Sequence, residues 1–152
     1  GLDYRELHLQ AHRGIAGILE SFDLIKVPAD DAVATGLSSV FYPHGLGHFI
    51  GLQTHDVSGL TDNEGKAIPR PEGHPFLRLT RVLEAGNVLT IEPVLYFIET
   101  LLRQWQENGD ATAVNWGRVE ALKPYGGIRI EDNVVVTETG SNNLTRDAFA
   151  TL

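Results

Sequence analysis

The chain contains 152 residues, of which 42% are hydrophobic and 21% are charged; this suffices for one domain with a hydrophobic core and excludes two ordinary domains and intrinsic disorder. The net charge is −8 without a basic stripe, and no apolar run approaches the roughly 18 residues of a membrane span, so neither nucleic acid nor a membrane is an expected partner. The absence of cysteine gives no support for an oxidising compartment and favours a cytoplasmic protein.

The first segment, Asp3–Leu24, is predicted to be an amphipathic helix with Asp3 as its N-cap. Its apolar residues recur at steps of three and four: Leu7, Ala11, Ile15, Ile18, Leu19 and Phe22. A second short helix is predicted from about Asp30 to Ser39, after Pro28 closes the connection.

The middle of the chain is rich in turns. Residues 43–59 hold glycines among three histidines, and residues 60–78 form a polar excursion that is long enough to indicate a functional loop. The remaining predictions are strands at Arg81–Leu83, Asn87–Pro93, Val94–Ile98 and Ile128–Thr137, a helical turn or two at Thr100–Gln106, a loop at 108–110 and an ambiguous segment at Trp116–Leu122. The sequence therefore predicts one α+β domain, or most of one.

Three histidines, His44, His48 and His55, lie in the glycine-rich segment. A helix would place them on one face, but the intervening glycines each cost roughly 1 kcal/mol in a helix interior, which disfavours that interpretation. In an extended chain His44 and His48 share a face, and a bend at Gly51 would bring His55 to them. The alternative is a turn-rich surface segment whose histidines are solvated or simply hydrogen-bonded.

Two carboxylates lie in or beside apolar strands, Glu92 before Pro93 and Glu131 near Arg129. A buried carboxylate must be paired or bound to a metal ion. The simpler alternatives are an exposed strand-end glutamate at Glu92 and a surface ion pair between Arg129 and Glu131. Taken together, one imidazole and two carboxylates without a thiol are a ligand set suited to manganese, cobalt, iron or zinc.

His8 and His12 are four residues apart in the first predicted helix, but the segment HLQAH lacks the glutamate of the zinc-peptidase HExxH motif. We therefore interpret both as histidines of the helix surface. The segment GLGHFIG matches neither a Walker loop nor a dinucleotide fingerprint.

Three motifs occur in order along the chain: PHGLGHFIGLQTHDVSG, VLTIEP and GGIRIEDNVVVTE. As an ordered set they resemble the metal-dependent Xaa-Pro dipeptidases, or prolidases, of the pita-bread peptidase family. The resemblance extends over nearly the whole chain, from DYRELHLQAHRGIA to the terminal NLTRD. It implies an α+β pita-bread (creatinase/aminopeptidase-like) fold, with residues 1–152 as the C-terminal portion of its catalytic domain.

The resemblance also implies a metal centre. His48 matches a histidine ligand, Glu92 matches a glutamate that binds metal and acts as general base, and Glu131 matches a glutamate that bridges two metal ions. Two divalent ions are therefore expected, with manganese as the first choice and cobalt, iron or zinc as the others.

Three further residues match positions near the substrate. His55 corresponds to the histidine that stabilises the tetrahedral intermediate, and His44 and Arg129 correspond to positions that hold the proline-side carboxylate or order the metal ligands. The implied activity is hydrolysis of Xaa-Pro dipeptides by a metal-activated hydroxide, in a full-length protein that is a homodimer.

The sequence departs from the family at two points. The two aspartate ligands should lie on strands upstream of the histidines, whereas the available aspartates fall in predicted helix or linker: Asp3, Asp23, Asp30 and Asp31. Val94 stands where the family usually has glycine after Glu-Pro, which places the local backbone in question because a β-branched residue is strained at positive φ.

The missing aspartates, the absence of methionine and a helix-like start at Gly1 indicate a part of a longer chain, although removal of an initiator methionine would leave the same trace. We expect the N-terminal domain and the upstream part of the catalytic domain to be absent and the fragment alone to be inactive. The alternatives for the parent protein are a pseudo-peptidase binding module, or an organophosphorus acid anhydrolase as main or side activity.

Overall fold

The computed structural model describes every residue from Gly1 to Leu152. The chain packs as two units. The first comprises Gly1–Leu9, His44–Pro93 and Ile130–Leu152, and the second comprises Gln10–Pro43 and Val94–Arg129. None of the helices combines the length and the apolarity that crossing a bilayer requires.

Six α-helices and five short strands make up the regular structure. The helices are α1 (Tyr4–Ser21), α2 (Ala29–Ala34), α3 (Ser38–Phe41), α4 (Glu99–Asn108), α5 (Trp116–Leu122) and α6 (Leu144–Phe149). The strands are β1 (Val88–Ile91), β2 (Val94–Tyr96), β3 (Gly127–Arg129), β4 (Asp132–Val136) and β5 (Ser141–Asn143). Short 3-10 turns occupy Val57–Leu60, Ala111–Ala113 and Lys123–Tyr125. Helices and antiparallel strands together confirm the predicted α+β class.

Helix α1 begins where the sequence predicts, because the Asp3 carboxylate accepts the backbone N–H of Arg5 at 2.9 Å, the bond that an N-cap makes. Its buried face differs from the predicted stripe, since Ile18 and Phe22 are 45% and 65% exposed. The buried residues of α1 are Tyr4, His8, His12, Ile15, Ala16 and Leu19. The surface positions predicted for the two histidines are therefore wrong.

Two predicted segments are each divided in the structure. The helix predicted over 30–39 forms α2 and α3, which are separated near Gly36 at a φ of 82°. The strand predicted over 128–137 forms β3 and β4, which pair with β2 and β1 respectively. The division lies opposite Pro93, which separates β1 from β2 and has no N–H to donate to a continuous ladder.

Other predictions hold with adjusted boundaries. The strand predicted over 87–93 is β1, the helical turns at 100–106 belong to the longer α4, and the ambiguous segment 116–122 is α5. The predicted strand at 81–83 is wrong, because that segment contributes only an isolated bridge between Val82 and Asp3.

The first unit contains a three-stranded antiparallel sheet in the order β1-β4-β5. On the free edge of β1 lies the histidine-rich segment, joined to it by backbone hydrogen bonds from Ile50 N to Val88 O, Thr90 N to His48 O and Glu92 N to Leu46 O at 2.9, 2.9 and 2.7 Å. These bonds hold residues 46–50 in an extended conformation beside β1. His48 therefore lies next to the strand that ends just before Glu92.

The second unit is organised around a hydrophobic core, with β2 and β3 paired antiparallel at one side. Its largest fully buried members include Phe41, Tyr42, Leu19 and Leu37. The remaining buried members of this core are Ile15, Ala16, Leu24, Ile25, Ala32, Val40, Val94, Leu102, Ala113, Val114 and Val119.

Candidate metal centre

Glu92 follows the last residue of β1 and is held by a neighbour two residues earlier. Its side chain is largely buried, and the Thr90 hydroxyl donates to its Oε1 at 3.0 Å. The Thr90 oxygen also accepts the backbone N–H of His48 at 3.0 Å. One hydroxyl therefore connects the carboxylate to the backbone of the histidine, and the alternative of an exposed strand-end Glu92 is wrong.

The ring of His48 is buried in a fixed orientation. Its Nδ1 lies 2.9 Å from the carbonyl oxygen of Phe49, and because a carbonyl only accepts, Nδ1 carries the proton. In a neutral ring protonated in this way, Nε2 carries the lone pair, and Nε2 lies 3.4 Å from Oε1 of Glu92. This is the tautomer that a histidine ligand needs, with its orientation set by a backbone carbonyl.

Glu131 completes a group of three potential ligands. It lies between β3 and β4, and one ligand atom from each of His48, Glu92 and Glu131 lies within 4.8 Å of the others. Donor atoms that share one divalent ion at about 2.1 Å are separated by roughly 3 to 4 Å, so small side-chain adjustments suffice. The donor set, a neutral imidazole and two carboxylates, fits a divalent metal ion.

His55 reaches this group through a turn. The chain reverses after Gly51, whose N–H donates to Gln53 O at 3.2 Å, and a side chain at Gly51 would collide with Asp56. The His55 ring lies edge-on to His48, with 4.4 Å between the ring centroids, and is exposed. The predicted bend at Gly51 is confirmed.

The two remaining predicted site residues, His44 and Arg129, are not part of the group formed by His48, Glu92 and Glu131. His44 is half-buried in the first unit, and its Nδ1 lies 2.7 Å from Gly45 O. Arg129 is exposed in the second unit, where it pairs with Val94 across β2 and β3. Val94 lies in an extended strand without positive φ, so the valine at this position does not strain the backbone.

Gly47 allows the histidine segment to approach β1 closely. A Cβ built on Gly47 would collide with the carbonyl oxygen of Thr90 and with the Tyr4 hydroxyl. That hydroxyl donates to Thr90 O at 3.0 Å. The glycine between the two histidines is therefore needed for packing against Tyr4 and Thr90.

His8 supports the same segment from α1. The N–H of Leu46 donates to His8 Nδ1 at 3.3 Å, so the ring proton lies on Nε2, which donates to Nδ1 of His74 at 2.9 Å. Burial lowers the pKa of His8 to about 3, with smaller contributions from His74 and His44. His8 is therefore neutral and buried, and it links the histidine-rich segment to the loop of residues 60–78, which contains His74.

His12 is also buried and belongs to the part of α1 in the second unit. Its Nδ1 lies 2.9 Å from Ser38 Oγ, and its ring stacks on Tyr42 with 4.4 Å between centroids. The sequence did contain a signal for the burial of both helix histidines, because they follow Tyr4 at steps of four residues and so share its helix face.

Residues 1–138 match the metallopeptidase family M24. The chain belongs to this family. It is 58% identical over 151 residues to the Xaa-Pro dipeptidase of Xanthomonas oryzae pv. oryzae and 55% identical to that of Stenotrophomonas maltophilia, in both cases over 99% of this chain and 34% of the relative. The chain thus spans about one third of the length of the curated relatives that it matches.

Solved structures of aminopeptidase P are similar in fold. Proline aminopeptidase P II from Yersinia pestis matches 97% of this chain and 27% of its own, with a TM-score of 0.64 and 30% identity. Zn-substituted Escherichia coli aminopeptidase P in complex with product matches 97% of this chain and 26% of its own, with a TM-score of 0.64 and 31% identity. The chain has the α+β pita-bread fold of these proteins, as the motifs imply.

Proposed function

We propose that this chain supplies His48, Glu92 and Glu131 to the metal centre of an Xaa-Pro dipeptidase that uses two divalent ions, with manganese as the expected metal. The observation that carries the proposal is the convergence of these three side chains within 4.8 Å, with the His48 tautomer suited to ligation. The Xaa-Pro dipeptidases at 55 to 58% identity support the substrate class.

The burial and the contacts of the site residues support specific roles in peptide hydrolysis. A divalent ion bound there would supply Lewis-acid chemistry, activating water and polarising the carbonyl that precedes proline. Glu92, oriented by Thr90, is the base that receives the proton of the attacking water. Exposed His55 donates a hydrogen bond as negative charge develops on the carbonyl oxygen. His44 holds the proline-side carboxylate or orders the metal ligands, and the guanidinium fork of Arg129 is suited to a carboxylate.

The second half of the metal centre must come from outside these residues. Because the chain spans 34% of the length of its relatives, we propose that the remaining part of such a protein supplies the two aspartate ligands. Three ligands do not hold two ions, so the 152-residue chain by itself is expected to hydrolyse no dipeptide.

A chimera tests the proposal directly. This chain would replace the matching residues of the Xanthomonas oryzae dipeptidase, to which it is 58% identical, and hydrolysis of Leu-Pro would be measured in manganese buffer. We expect the chimera to cleave Leu-Pro, and Glu92→Gln to lower kcat by at least about 100-fold because the proton acceptor is lost. Glu107→Gln, an exposed position on α4, is the matched control and should leave kcat unchanged.

Other outcomes would assign the chain differently. If the parent dipeptidase binds about two ions and the chimera binds none and is inert, the metal-centre proposal fails and a binding module becomes the better interpretation. If the chimera cleaves a phosphotriester faster than Leu-Pro, the organophosphorus activity is the main one. Equal rates for wild-type and Glu92→Gln chimeras would refute the role of Glu92.

A further inference from the structure

The C-terminal segment returns to the strand that follows Glu131. The match to family M24 ends at residue 138, and β5 and α6 lie beyond it. Strand β5 pairs antiparallel with β4, with Asn143 opposite Val134. The motif NLTRD at the start of α6 is thereby brought beside Asp132, the residue that follows Glu131.

Three side chains of this motif contact two consecutive residues of β4. Asn143 Nδ2 and Arg146 Nε donate to the same oxygen of Asp132, Oδ2, at 2.9 and 3.1 Å. Thr145 Oγ1 accepts the backbone N–H of Asn133 at 2.8 Å. The contacts therefore hold both a side chain and the backbone at the start of β4.

The same asparagine also organises α6. Its Oδ1 accepts the backbone N–H of Arg146 at 2.9 Å, which makes Asn143 the N-cap of the helix. The cap fixes the first turn of α6, and this turn presents Thr145 and Arg146 to β4. Helix formation and the contacts to Asp132 are thus coupled through one residue.

Glu131 directly precedes β4. Its side chain is exposed, whereas Asp132 is paired with Ile91, the residue before Glu92, across β4 and β1. Groups that fix the backbone beside an exposed side chain limit the positions that this side chain can take. The contacts to Asp132 and Asn133 do so immediately after Glu131.

We propose that Asn143, Thr145 and Arg146 are positioning residues that hold Glu131 in place for metal binding. This inference rests on the proposed function, in which Glu131 is a metal ligand. The contacts differ from an ordinary surface ion pair, which contributes little by itself, because three side chains act on two adjacent residues. Removing a group that orients a metal ligand through a hydrogen bond typically lowers metal affinity 10- to 100-fold.

The test is Co²⁺ binding by the chain. Calorimetry measures the affinity, and the visible absorption of the bound ion reports its surroundings. Arg146→Ala removes one donor, and Asn143→Asp keeps the N-cap but removes the other donor and places a negative charge beside Asp132. We expect each to weaken Co²⁺ binding about tenfold and to alter the absorption bands. Arg146→Lys should recover part of the affinity, because an ammonium group can still donate to Asp132.

Arg13→Ala is the charge-matched control. Arg13 lies in an exposed pair with Asp30, at 3.7 Å, in the second unit, and its replacement changes the net charge by the same amount as Arg146→Ala or Asn143→Asp. Its Co²⁺ affinity should equal that of the wild type. Equal loss in Arg13→Ala would show a diffuse charge effect and overturn the proposal.

Two results separate this inference from the proposed function. If the wild type binds Co²⁺, as the chain alone or within the chimera, and both variants bind it equally tightly within a factor of two, the positioning role is refuted and the metal centre stands. If the wild type binds no Co²⁺ in either form, both proposals are refuted. Should the variants fail to fold, Thr145→Val and Thr145→Ser decide, because serine retains the hydroxyl that accepts from Asn133. Weaker binding by valine than by serine supports the role, and equal binding refutes it.

Discussion

The Thr90 hydroxyl links the two innermost residues of the candidate metal centre. It accepts from the His48 backbone N–H and donates to Glu92 Oε1, and both bonds are buried. Thr90→Val keeps the shape of the side chain but leaves the amide and the carboxylate without this partner. We expect a loss of about 1 to 3 kcal/mol in the free energy of unfolding, measured by urea denaturation, together with weaker Co²⁺ binding.

Thr80 provides a matched control for that prediction. It is also a buried threonine of the first unit, and its hydroxyl donates to Ile68 O at 3.1 Å, away from the metal ligands. Thr80→Val should lower stability by a similar amount and leave Co²⁺ affinity unchanged. If both variants lose metal affinity equally, the effect of Thr90 is general destabilisation and its specific role is excluded.

At the scale of elements, one neutral histidine of α1, His8, contacts both the histidine-rich segment and the loop of residues 60–78. The pKa of His8 is lowered from 6.5 to about 3, chiefly by burial, and burial also lowers the pKa of His74. Because the folded pKa lies below the unfolded value, protonation favours the unfolded chain. The stabilising contribution is complete above about pH 6.5 and is lost as the pH falls towards 3.

We therefore predict an acid-sensitive fold whose sensitivity depends on His8. One pKa unit corresponds to about 1.4 kcal/mol. Two pH units below the unfolded-state pKa of His8, its burial should therefore lower the free energy of unfolding by roughly 3 kcal/mol. His8→Asn keeps an acceptor near the Nδ1 position for the Leu46 N–H but does not titrate. The free energy of unfolding, measured by chemical denaturation at each pH, should fall less steeply with decreasing pH in His8→Asn than in the wild type. An equal pH dependence in the two proteins would contradict the prediction.

The sequence predicts the elements better than the contacts between them. Glu92 is recognisable because an apolar strand ends there before proline, and the reversal at Gly51 follows from the need to bring His55 back. The division of 128–137 into two strands is not recognisable, because β-prone residues continue through it and only the change of pairing partner reveals it. Thr90 is equally hidden, since threonine is an ordinary strand residue.

At the scale of the whole molecule, the chain brings together three potential metal ligands that are far apart in the sequence. The unfolded chain cannot present His48, Glu92 and Glu131 to one ion, so metal binding should stabilise the folded state. At a metal concentration of about 100 times Kd, the gain is about 2.7 kcal/mol. For a chain of this size each kcal/mol raises Tm by roughly 2 to 4 °C, so a rise of about 5 to 10 °C is expected.

His48→Ala decides whether such a rise comes from the site. The chain has a net charge of −8 with neutral histidines, and an acidic protein attracts divalent cations diffusely without a built site. Replacing His48 by alanine leaves this charge unchanged but removes the buried imidazole ligand. Loss of the metal-dependent Tm rise in His48→Ala, measured by calorimetry, would locate binding at the His48, Glu92 and Glu131 group. An undiminished rise would mean that the acidic surface as a whole binds the metal.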